Sequence, residues 1–262
     1  MIAATANAFG DTSDATTRWV APSRQLDLDH PKVRITALKL TQRHQTLAHR
    51  AMALHDHVRN LPFAAHADSA SVSASEVLRR GSGDCHSKAL LFTALCRAAG
   101  LPARMLFVEV RTRFLAGLLD AAPRTLVHAV GQVLLGGRWL STDAYVLDPL
   151  LFAQARLRVL DSGLDCGWGL VSDARARWDG QRDCLHQFRA EDVRQVAGIF
   201  DDPADLYAAR AASATGLRHR LAYALGVSLL NRRVAELRRL PSQPLPVPPR
   251  PPISNPHPGC CP

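Results

Sequence analysis

Gly81-Ser82-Gly83-Asp84-Cys85-His86-Ser87-Lys88-Ala89-Leu90-Leu91 runs a glycine-rich turn into a helical pattern, with a cysteine at the junction. Past Cys85, apolar residues fall at Leu91, Leu95 and Ala98, with Leu90 and Ala94 beside them. That spacing predicts a helix with one buried face, reaching about Ala99. Gly81 and Gly83 permit a sharp entry. Asp84 is a natural N-cap, and Gly100 with Pro102 marks the end. Cys85 therefore lies in the first turn, where unpaired N–H groups and the positive end of the helix dipole favour thiolate over thiol. His86 is read as pointing elsewhere on the helix, with no role.

The second informative stretch lies downstream. Leu126–Leu135 and Arg138–Val146 read as strands joined by Gly136-Gly137, a two-glycine hairpin signal. In a two-residue hairpin, facing residues have numbers that sum to about 273. His128 then faces Tyr145, and Asp143 is the diagonal neighbour of His128 on the same face. Asp148 has the wrong parity. A histidine and an aspartate on one hairpin face, downstream of a cysteine in a first helical turn, make a constellation with a chemical use. The thiol needs a base to take its proton and return it to the leaving group. The base needs a carboxylate to fix its tautomer and support its positive charge.

The rest of the chain sets bounds. Its 262 residues are 47% hydrophobic and 21% charged, an ordinary globular composition. Net charge is +9, and Lys32, Lys39 and Lys88 are the only lysines. Such a balance allows an anionic partner without selecting one. The six cysteines form no C-x-x-C pair, so neither a zinc site nor a disulfide framework is expected, and a reducing cytoplasm is the default. Cys96 reads as core, and Cys260-Cys261 as part of the tail. No signal-peptide or membrane-spanning pattern is seen. His44, His55 and His57 read as solvent-facing rather than as a metal site, because they share no helical face.

Residues 1–31 read as a poorly structured lead-in, with Arg18-Trp19-Val20 as a candidate edge strand. One helix is expected over about Ile35–Val58, a short one over Ser75–Arg80, and a strand over Arg104–Arg111. Residues 112–125 read as irregular, a candidate flap, and a short helix is expected near 150–156. Residues 190–240 read as helices, the last from about Gly216 to Leu240. The proline-rich segment 241–262 reads as a disordered tail.

Three blocks, in order, carry a family resemblance: Gly83-Asp84-Cys85-x-x-Lys88-Ala89-Leu90-Leu91 continuing to Arg97-Ala98-x-Gly100-Leu101-Pro102-Ala103-Arg104; His128-Ala129; and Trp139-x-x-x-Asp143. Together, over about Ser75 to Asp148, they resemble the core of the transglutaminase-like superfamily. The resemblance implies an α+β, papain-like fold, with a nucleophile helix packed on an antiparallel sheet and additional N- and C-terminal helices. It implies a transglutaminase-like domain over 32–200, followed by a helical extension over 201–240. By the family's pattern Cys85 is the nucleophile, His128 the base and Asp143 the orienting acid, with no cofactor and no metal. The oxyanion donor expected is the backbone N–H of Cys85, with Asn60 as a side-chain guess.

The function implied is thiol-dependent acyl transfer on amide bonds of a peptide or protein substrate, with hydrolysis ahead of cross-linking. Two other readings stand beside it. One is an inactive scaffold of the same fold. The other is nucleic-acid binding through the basic C-terminal helix, where Leu221–Ser228 has the pattern of a helix-turn-helix corner. Nucleic acid is disfavoured, since Arg232 falls where such a corner buries an aliphatic residue.

Overall fold

A computed structural model describes residues 17–119, 123–210 and 217–239. Everything is arranged around the Cys85 helix. In chain order the main elements are α1 (Pro31–Thr41), α2 (Leu47–Asn60), α3 (Ala74–Arg80), α4 (Cys85–Ala98), β1 (Ala103–Arg111), β2 (Thr125–Leu135), β3 (Arg138–Thr142), α5 (Pro149–Ser162), β4 (Cys166–Gly167), β5 (Leu170–Val171), β6 (Val193–Phe200), α6 (Pro203–Arg210) and α7 (Leu217–Arg239). The four longer strands form one antiparallel sheet in the order β3-β2-β1-β6. This is the α+β architecture expected, a cysteine-bearing helix against an antiparallel sheet.

Helix α4 is buried on all sides from His86 to Arg97, more deeply than a one-faced pattern predicts. It packs on β1 and β2, while α1, α2 and α3 close over its outer faces. The fit against β2 is close: a Cβ added to Gly131 would meet Phe92 Cδ1 at 2.7 Å and the Tyr145 hydroxyl at 2.8 Å. Only glycine lets the strand approach the helix at that point.

The β2–β3 hairpin has the register read from sequence. Leu135 pairs with Arg138, Leu134 with Trp139 and Gly131 with Thr142. Gly136 and Gly137 both have positive φ, 57° and 73°, as a type I′ turn requires. The pairing ends earlier than expected, at Thr142. Tyr145 does not face His128; the chain turns at Asp143, whose carbonyl accepts from Val146 N–H at 2.8 Å. Tyr145 enters the core, where its hydroxyl accepts from Gly131 N–H at 2.8 Å. That bond satisfies a strand N–H close to the point where β3 stops.

Six other expectations are corrected. The long N-terminal helix is two helices, parted at residues 42–46 where Thr46 caps α2. Residues 17–31 are not loose, for Trp19, Leu26 and Leu28 are buried. His55 is not solvent-facing; it sits in the core against Phe92, Tyr145 and Trp178. Residues 193–200, read as helical, form strand β6, paired with β1 through two register shifts. Those irregularities break strict alternation, so Val193, Val196 and Ile199 mimic a helical spacing. Helix α5 runs to Ser162, longer than expected, because Asp148 caps it ahead of Pro149 and Gly163 ends it at φ 66°. Helix α7 passes unbroken through Gly226, so the helix-turn-helix corner is absent. Among the described residues, no helix is long and apolar enough to cross a membrane. The 241–262 tail, with Cys260 and Cys261, lies outside the described residues.

Candidate active site

The entry to α4 is fixed by a reciprocal cap. Asp84 Oδ1 accepts from His86 and Ser87 N–H at 3.2 Å each, and Ser87 Oγ accepts from Asp84 N–H at 2.9 Å. Such a box contributes about 1 kcal/mol and sets the direction of the first turn. The loop before it is held flat against residues 62–64: Gly83 N–H donates to Pro62 O at 3.2 Å, and Ala64 N–H to Gly83 O at 3.0 Å. A Cβ on Gly83 would lie 2.5 Å from Ser87 Oγ, so the cap requires glycine there. Among the described residues the Cys85 N–H, first in the helix, donates to no group. Cys85 itself is half-buried.

His128 and Asp143 meet as the hairpin register implies, with Nε2 of His128 3.0 Å from Asp143 Oδ2. Both side chains are fully buried. The ring is clamped edge-on by Phe188 and Phe114, with centroids 5.3 and 6.4 Å away. Its other nitrogen, Nδ1, is buried without a hydrogen bond among the described residues. The group that acts on this ring besides Asp143 is the Cys85 sulfur. Burial pulls the imidazole down, but the sulfur and the Asp143 hydrogen bond outweigh it and raise His128 to about 10. Burial pushes the thiol up, yet His86 and then His128 bring Cys85 down to about 6. A thiol left alone titrates near 8.5.

Asp143 is positioned by residues outside the hairpin. His186 N–H donates to Oδ1 at 2.5 Å and Gln187 N–H to Oδ2 at 3.4 Å, while the Asp143 N–H donates to Cys184 O at 3.2 Å. Lys88, fully buried one turn after Cys85, reaches the same region. Its Nζ donates to Leu61 O at 2.5 Å and to Tyr145 O and Val146 O at 3.0 Å each. It ties the C-terminal end of α2 to the turn after Asp143. Burial draws the Lys88 ammonium down to about 7.

Asp148 stands apart from this cluster because it lies beyond the end of β3, where hairpin parity no longer applies, at the start of α5. It caps α5 and accepts from Phe63 N–H at 2.9 Å and from Arg238. Asn60 is exposed at the end of α2 and meets nothing at the site. His86 corrects the sequence reading: it does not point away. Its Nδ1 lies 3.3 Å from Cys85 Sγ and its Nε2 3.0 Å from the Tyr207 hydroxyl of α6.

Sequence reasoning missed His86, Lys88, Tyr207, His186 and Gln187. Lys88 alone had a signal, a charge inside an apolar helical run. Among the described residues, no cluster of three or more histidines, cysteines and carboxylates could hold a metal.

Residues 34–144 match the transglutaminase-like superfamily core, and the chain carries a domain of that superfamily over those residues. At the family level this supports a thiol-dependent hydrolase or transferase. No curated protein matches the chain. Two solved structures are similar to it. A candidate cysteine protease from Cytophaga hutchinsonii is 25% identical, with a TM-score of 0.43 over 55% of this chain and 46% of that one. A candidate protease from Parabacteroides distasonis is 16% identical, with a TM-score of 0.33 over 48% of this chain and 24% of that one. The chain thus spans less than half the length of either.

Proposed function

We propose that this protein is a thiol-dependent acyl-transfer enzyme acting on amide bonds of peptides or proteins, with Cys85 as nucleophile, His128 as proton carrier and Asp143 as the group that orients it. One observation carries the reading. His128 turns Nε2 onto a buried carboxylate at 3.0 Å, its Nδ1 has no hydrogen bond among the described residues, and the Cys85 sulfur at a helix N-terminus acts on the same ring. With thiol lowered and imidazole raised, the pair rests as thiolate and imidazolium at neutral pH.

The thiolate attacks the carbonyl carbon, and the C=O electron pair moves onto oxygen. The idle Cys85 N–H is the donor available to that oxyanion. As the tetrahedral centre collapses, the C–N bond breaks and the His128 imidazolium gives its proton to the departing amine. A thioester remains. Water, or a second amine, then attacks while His128 takes a proton, and sulfur leaves as thiolate. Hydrolysis is the reading we place first.

The test is release of aminomethylcoumarin from mixed peptide-coumarin amides, run beside incorporation of dansyl-cadaverine into casein. Wild-type turnover in either assay, lost in Cys85→Ala, supports the proposal. If Cys85 is alkylated by iodoacetamide at pH 7 no faster than Cys96 or Cys184, the activated thiolate is lost and an inactive scaffold is left.

A further inference from the structure

Outside the matched region, helix α6 places one side chain against the site. Tyr207 stacks on the His86 ring, centroids 5.6 Å apart, and its hydroxyl meets His86 Nε2 at 3.0 Å. Phe107 of β1 lies against the same imidazole at 5.9 Å. The far nitrogen, Nδ1, is 3.3 Å from Cys85 Sγ. Helix α6 is itself tied down. Ala204 N–H donates to Gln25 Oε1 at 2.9 Å, Leu206 is buried, and Arg210 bridges to Glu109 at 3.1 Å. Just before the helix, Asp202 accepts from Gln25 N–H at 3.1 Å. The tyrosine is thus set by contacts at both ends of its helix.

We propose that His86, held by Tyr207, is a second imidazole partner of Cys85: it donates Nδ1–H to the thiolate while His128 carries the proton used in the reaction. This rests on the thiol-dependent reading above. The two rings differ in what backs them. Both Asp143 oxygens already receive backbone N–H groups, so toward His128 the carboxylate acts as an acceptor and Nε2 must carry a proton. With its pKa raised by the nearby sulfur and by Asp143, His128 carries a proton on Nδ1 as well and is a cationic ring. A tyrosine hydroxyl can donate as well as accept. Behind His86 it can donate to the Nε2 of a neutral ring or accept from that of a charged one, and in both cases Nδ1 carries a proton toward the sulfur. His86 can therefore hydrogen-bond the thiolate, and that sulfur raises the His86 pKa against the pull of burial. Once the sulfur is acylated it no longer attracts that N–H, so the contact favours the free thiolate and the departing one. The other ionisable groups near these rings are committed: Asp84 caps α4, Asp143 faces His128, and Glu109 pairs with Arg210. Tyr207 acts through His86 and is a positioning residue.

The experiment is the pH profile of iodoacetamide alkylation at Cys85, read by peptide mass spectrometry in the full chain. It compares wild type, His86→Phe, Tyr207→Phe and His128→Phe. Both phenylalanine variants at the His86–Tyr207 contact keep the ring stack. For His86→Phe, the proposal expects the thiolate fraction at pH 6 to fall about fivefold, the titration midpoint moving up by about one pH unit. For Tyr207→Phe, which leaves the fold intact, it expects about a twofold fall, the midpoint moving up by roughly half as much. Profiles of both variants that superpose on wild type, while His128→Phe still moves the thiol midpoint, overturn the proposal and leave the Cys85–His128 reading standing. Displaced profiles in a protein that turns over no amide uphold the His86 assignment and overturn the amide-bond reading instead.

Discussion

Two cysteine–histidine pairs flank Asp143, and they behave in opposite ways. Cys85 starts a helix and meets two imidazoles. Cys184 lies 3.7 Å from His186 Nε2 and lends its carbonyl to the Asp143 N–H. By composition the pairs are alike. Burial and then Asp143 push Cys184 up to about 12, and burial draws His186 down to about 4. His186 Nε2 also faces Arg175 O at 2.7 Å, which holds its proton on that nitrogen as a neutral ring. The second pair is a neutral packing contact. The lesson is that a sulfur beside an imidazole is not a nucleophile by proximity. It needs donors that prefer it charged, and a carboxylate placed behind the ring rather than beside the sulfur.

The largest expected effect separates the two cysteines outright. Cys85→Ala should lower amide turnover by at least about 10³-fold, and Cys184→Ala by less than about threefold, in the same coumarin assay. A comparable loss in both would erase the distinction. Next, Asp143→Ala should lower kcat by about 10²–10⁴-fold, because the ring loses its orienting acceptor and the N–H groups of His186 and Gln187 lose theirs. His128→Ala belongs in the same range, and an active variant would place the proton carrier elsewhere.

Alkylation rates give a milder contrast. At pH 7 the thiolate fractions differ by about 10⁵, but a low-pKa thiolate is intrinsically less nucleophilic by roughly three decades. Cys85 should therefore label about 100-fold faster than Cys184. The pH dependence follows from the same pair. Cys85, lowered to about 6, contributes stability that is present above the ordinary thiol range and lost as pH falls through about 6. His128, raised to about 10, contributes stability present below the ordinary histidine range and lost as pH rises through about 10. Activity should form a plateau between those limits, and the melting-temperature gap between wild type and Cys85→Ala should be widest inside it. A gap that does not vary with pH breaks the ion-pair reading.

The smallest effect on chemistry concerns Lys88. Lys88→Met should cost about 3 kcal/mol of stability by leaving the Leu61, Tyr145 and Val146 carbonyls without their donor. Denaturant unfolding reads this directly, and a neutral result would mean water takes the place of the ammonium.

What could be read in advance was local. The cap at Asp84, the helix from Cys85, the two-glycine turn and the 273 register each depend on neighbours within a few residues, and the register brought His128 and Asp143 together on paper. Strand β6 was missed because irregular pairing with β1 erased its alternation. Tyr207 lies over 120 positions from Cys85, and nothing in its own helix marks it. His186 and Gln187 act through backbone N–H groups, which every residue type but proline carries.

The sequence by itself determined that a cysteine begins a buried helix and that a histidine and an aspartate share a hairpin face, because turn and capping geometry are set by short stretches of chain. Only the tertiary structure decided that His86 turns back onto the sulfur, that Tyr207 stands behind it, and that burial pushes the Cys184 thiol up. The physical reason is that a side chain's direction and its charge depend on groups brought near by folding, and residue type carries neither.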